Sequence, residues 1–185
     1  MQRFYKVLLI LTVFISALQV NCSVDTVWTK FTFPTENYTI KFSPDGKQLV
    51  TGGNKGKIEV WDAFSGALLR SLDGNSGTIY CVDFSSDGKF LAAANSLSVI
   101  TIWDYQSGEV VQVIDHYDGV DTRKFRAYSL KFSNNGKYLA AVLMHGSQTL
   151  QLSDVLIWDT ESWELVSQIN EFKDVFDIDF LLMIP

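Results

Sequence analysis

Cysteine, histidine and proline are scarce in this chain, with two, two and three among its 185 residues. Each scarcity closes a class of answers. Cys22 and Cys81 cannot build a disulfide framework, and no Cys-x-x-Cys pair offers a zinc ribbon or a redox motif. Three prolines leave no proline-rich or low-complexity tract. Basic charge is also short: 15 Lys and Arg stand against 21 Asp and Glu, a net charge of −6. Phosphate backbones are met by a basic footprint, so nucleic acid is not an expected partner. Catalytic motifs are missing as well: there is no Gly-x-Ser-x-Gly elbow, no phosphate-cradling glycine loop and no His-Glu-x-x-His. The expectation is a protein that is not an enzyme and holds no cofactor. Aromatics are plentiful instead, with 13 Phe, 7 Tyr and 5 Trp, which favours a β-rich interior.

The first 22 residues read as a signal peptide. Arg3 and Lys6 form a short positive start, and residues 7–18 are a stretch of twelve without charge. Twelve residues rise about 18 Å as a helix, well short of a bilayer core of about 30 Å. The length therefore suits a secretory h-region, with cleavage expected after Cys22 and no stable membrane span in the mature chain. The alternative is an uncleaved anchor. Cleavage removes Arg3 and Lys6, takes the net charge from −6 to −8, and leaves Cys81 as the one thiol. Secretion would also make Asn37-Tyr38-Thr39 a usable glycosylation sequon at Asn37.

Self-similarity organises the rest. Tyr38-Thr39-Ile40-Lys41-Phe42-Ser43-Pro44-Asp45-Gly46-Lys47 returns as Tyr80 to Lys89 and again as Tyr128 to Lys137. Each copy is followed by an apolar run ending in Trp-Asp: Trp61-Asp62, Trp103-Asp104 and Trp158-Asp159. Phe42 to Phe84 and Trp61 to Trp103 are both 42 residues apart, a period that fits units of four short strands. Within each unit apolar residues alternate with polar ones, the period of a strand. Gly46, Gly88 and Gly136 are placed to take the positive φ of a tight hairpin. The units span about residues 38–72, 79–114 and 127–169, and a fourth begins at 175–180. Strand sheets with two apolar faces are stable only when stacked, so Trp61, Trp103 and Trp158 are expected between neighbouring sheets.

These residues resemble the WD-repeat (WD40) family over about residues 27–180. The resemblance implies an all-β, partial β-propeller of about three four-stranded antiparallel blades. It also implies a rigid platform for protein partners, with residues 27–31 as an outer strand of the preceding blade. Two departures stand out. Asp73-Gly74-Asn75 replaces the family's frequent Gly-His, removing its histidine network. Ser162-Trp163 stands where the other units have Ser-Gly; because a tryptophan takes positive φ at a cost, a different turn is expected there. Propellers close with about four to eight blades, and residues 181–185 replace the next glycine turn with an apolar tail. The expectation is part of a longer propeller. Self-association, a product without independent function, and a propeller fragment of a secreted hydrolase or cofactor-dependent oxidoreductase are the remaining readings.

Two insertions locate a candidate partner face. Trp103 to Phe132 spans 29 residues against 23 from Trp61 to Phe84, enlarging a loop over 115–126. Phe132 to Trp158 spans 26 against 19 in the earlier units, and this extra length is expected as a loop over 144–153. In a propeller both emerge on one face, where loops carry recognition. They offer Tyr117, Arg123, Lys124, Phe125, Arg126, His145 and Gln148, whose basic cluster would meet an acidic partner surface. The two histidines with Asp115 or Asp118 could hold a metal, but solvated loop residues are the expectation. Cys81, on an inner strand, is expected to be buried and inert.

Overall fold

In the computed structural model the described residues are 37–115, 126–146, 151–173, 175 and 177–180. They form twelve strands in three antiparallel sheets of four. The first sheet holds β1 (Asn37–Phe42), β2 (Gln48–Gly53), β3 (Ile58–Asp62) and β4 (Leu68–Leu72). The second holds β5 (Ile79–Phe84), β6 (Phe90–Asn95), β7 (Val99–Asp104) and β8 (Val110–Asp115). The third holds β9 (Arg126–Phe132), β10 (Tyr138–Gly146), β11 (Gln151–Asp159) and β12 (Leu165–Lys173). In each, strand order follows chain order. The first strands β1, β5 and β9 lie side by side, so the sheets meet along them. Among the described residues no helix is long and apolar enough to cross a membrane.

The strands form where alternation and turns agree. Ser43, Ser85 and Ser133 start the hairpins predicted by the Gly-Lys repeats. The Ser43 hydroxyl donates to Asp45 Oδ1 at 2.7 Å and accepts from the Gln48 N–H; Ser85 and Ser133 repeat this with Asp87 and Asn135. Gly46, Gly88 and Gly136 take φ of +70°, +72° and +71°, a region that is costly for a side chain bearing a Cβ.

Two apolar seams weld the sheets. The first joins Val50, Ile58, Val60 and Leu72 to Ile79, Val82, Phe84, Leu91, Ala93 and Trp103 of the second sheet. The second joins Cys81, Ala92, Ala94, Ile100 and Ile102 to Ala127, Leu130, Phe132, Leu139, Leu156 and Trp158 of the third. Trp103 and Trp158 thus lie between neighbouring sheets, as expected. Trp61 is buried on the opposite face of its sheet from Val60, with its indole N–H donating to Thr51 Oγ1 at 3.1 Å. Asp83 spans both seams: its carboxylate pairs with Lys41 at 2.6 Å and accepts the Phe132 N–H at 2.8 Å.

Two expectations are corrected. The extra residues of the third unit are not a long loop. β10 and β11 run nine residues each against six in β6 and β7, with Met144 opposite Ser153, His145 opposite Leu152 and Gly146 opposite Gln151. Antiparallel pairing satisfies backbone groups that a loop would leave to water, and the insertion lengthens the hairpin. The turn after Asp159 is also not a new one. Trp163 takes φ +59° and donates its N–H to the Asp159 carbonyl at 2.8 Å. Gly66 and Gly108 do the same toward Asp62 and Asp104. The strained Trp163 ring lies edge-on to Phe90 of the second sheet, centroids 5.7 Å apart, and this contact offsets the backbone cost.

Candidate interaction face

Each sheet has a turn end and a loop end. The turn end carries the Gly-Lys hairpins and the Trp-Asp turns, tied together by backbone bonds such as Ala63 N–H to the Lys47 carbonyl. Here the aspartates of the Trp-Asp pairs have a local duty. Asp62 Oδ1 accepts from the N–H groups of Phe64 and Ser65 and from the Ser65 hydroxyl. Asp104 accepts from Ser107, and Asp159 from Glu161 and Ser162. The donated N–H of the serine holds each carboxyl below the ordinary carboxylate range. Asp45 and Asp87 are lowered too, first by the Ser43 and Ser85 hydroxyls.

The loop end is set by register. Asn37 pairs with Gly53 and Met144 with Arg126, so the starts of β1 and β9 lie beside the hairpins that leave β2 and β10. Arg126 opens β9 with an exposed side chain. His145 lies within β10 rather than in a loop. Tyr117, Arg123, Lys124, Phe125, Gln148 and the alternative carboxylate Asp118 lie outside the described residues, as do residues 27–31. Lys55 and Lys57 are exposed on the β2–β3 hairpin. Lys57 pairs with the buried Glu59.

Asn37 is half-buried, and its Nδ2 has no exposed surface. Burial pushes the Cys81 thiol up to about 12, and its Sγ lies 3.7 Å from the Ala127 carbonyl in the second seam. A thiol so buried is not a nucleophile.

Residue-by-residue reading missed two features. Asn95, fully buried, donates to Asn75 Oδ1 and the Ser76 carbonyl, and its own Oδ1 accepts from Leu97 and Val99. It anchors the β4–β5 connection at Asn75 and Ser76. The Asp73 carbonyl of that connection also accepts the Trp103 indole N–H at 2.7 Å.

The second is an arc of tyrosines. In β1 the pairing shifts between Asn37 and Thr39, in β5 between Ile79 and Cys81, and in β9 between Ala127 and Ser129. Each shift leaves one tyrosine at a bulge, and bulges re-aim side chains. Tyr38 and Tyr80 meet edge to face with centroids 5.9 Å apart; Tyr80 and Tyr128 are parallel at 6.1 Å. The available signal was a tyrosine four residues ahead of each Phe-Ser pair.

The fourth unit starts beside the third. The Ser129 hydroxyl donates to Asp177 at 2.6 Å, Ser153 donates to the Val175 carbonyl, and Lys131 lies 3.5 Å from Asp179. That last pair repeats Lys41 with Asp83.

A family model described as WD domain, G-beta repeat, matches residues 31–62 and 66–104. The WD40 repeat-containing protein smu1 of Dictyostelium discoideum is 54% identical over 43 residues, which cover 23% of this chain and 8% of that protein. The crystal structure of RRP9 WD40 repeats superposes with a TM-score of 0.59 at 21% identity, over 75% of this chain and 40% of that one. The structure of U3-55K gives the same values. At that identity the likeness concerns the fold. This chain spans well under half the length of each.

Proposed function

We propose that this chain, which a WD-repeat family model matches over residues 31–62 and 66–104, is a non-enzymatic scaffold for protein–protein interaction, part of a longer propeller, and that its loop end meets the partner. The observation that carries this reading is the division of labour between the two ends. Turn-end side chains such as Asp62 and Asp104 are committed to their own backbone, whereas the loop end receives the two insertions. Charge supports the same choice. The turn end presents Asp45, Asp62, Asp87, Asp104, Asp159, Glu161 and Glu164 against Lys47, Lys89 and Lys137, while Lys55, Lys57 and Arg126 stand at the loop end with Asp73 and Asp115. The turn end is the more acidic of the two, so an acidic partner is repelled less by the loop end. By sequence the 115–126 connection adds Arg123 and Lys124 together with Asp118 and Asp121. The N-terminal segment further supports export through the secretory pathway, and epitope-tagged chain in the medium, lacking residues 1–22, is the expected result.

The test shortens residues 116–125 and 147–150 together and reverses Arg126 to Glu in a second variant. Crosslinked partners of the intact chain should be lost in the first variant and weakened at raised salt in the second. Partners retained by both variants would sink the loop-end assignment.

A further inference from the structure

We draw no further inference here: the strongest candidate, the exposed apolar rim where the outer strands β4, β8 and β12 begin, at Leu68, Leu69, Val110, Val111, Leu165 and Val166, carries nothing because nothing in the structure shows what covers it.

Discussion

The two seams between sheets are built on the same repeat and sealed by different chemistry. At the rim of the first, the Arg70 guanidinium lies over the Tyr105 ring, 4.8 Å from its centroid, and donates to the Tyr105 and Gln106 carbonyls. Tyr105 in turn lies edge-on to Phe84 at 4.7 Å and donates its hydroxyl to Gln48. The second seam has Thr160 where the first has Tyr105, and Gln112 where it has Arg70. There the closing contact is Trp163 on Phe90. A polar clamp and an aromatic one thus do the same work. The repeat dictates where sheets meet, and the residues at each rim decide what holds them.

The comparison breaks first if the buried tryptophans are not equivalent. Trp103→Ala and Trp158→Ala should each destabilise the chain by about 3–5 kcal/mol in denaturant titrations; a small loss at either would mean that its seam is not a packed core. Asp83 serves both seams, and Asp83→Ala leaves the Phe132 N–H and Lys41 without their carboxylate. A loss of about 1–3 kcal/mol is expected, mostly from the buried N–H, because Lys41 is partly exposed.

Trp163 sharpens the contrast. Trp163→Gly relieves the positive φ as it removes the ring, whereas Trp163→Ala removes the ring and keeps the strain. The alanine variant should be less stable than the glycine one by about 1 kcal/mol. Equal stabilities would argue against the left-handed turn.

Acid should separate the sheets by their first hairpins. Asp45 and Asp87 have lowered folded values, so their stabilisation is present above the unfolded value of about 3.9 and is lost as pH falls through the folded one. Asn135 makes the same bonds without a titrating group. Hydrogen exchange below pH 4 should therefore loosen residues 43–48 and 85–90 before 133–138; simultaneous loosening would contradict the assignment of the effect to these carboxylates.

Strands, hairpins and the inter-sheet tryptophans were legible because each has a local cause: alternation, a glycine at a fixed offset, an apolar run before Trp-Asp. What escaped depends on partners distant in sequence. Trp163 reads as forbidden in its turn until Phe90, 73 positions earlier, is placed beside it. The lengthened hairpin around His145 reads as a loop because Gly146 and Ser147 interrupt the apolar pattern, although β10 and β11 continue to pair as far as Gly146 and Gln151. The tyrosine arc needs three bulges to coincide, which periodicity along one chain does not reveal.

The central claim is that the sheets form one rigid stack by burying their faces against each other, since the arc and the loop end exist only if both seams are closed. Cys81 lies inside the second seam, and its labelling by a thiol reagent in a Cys22→Ser chain reads that closure directly. Labelling should be negligible in buffer and should rise with denaturant at the midpoint seen by tryptophan fluorescence. Labelling in buffer near the rate of a free thiol would contradict a closed stack.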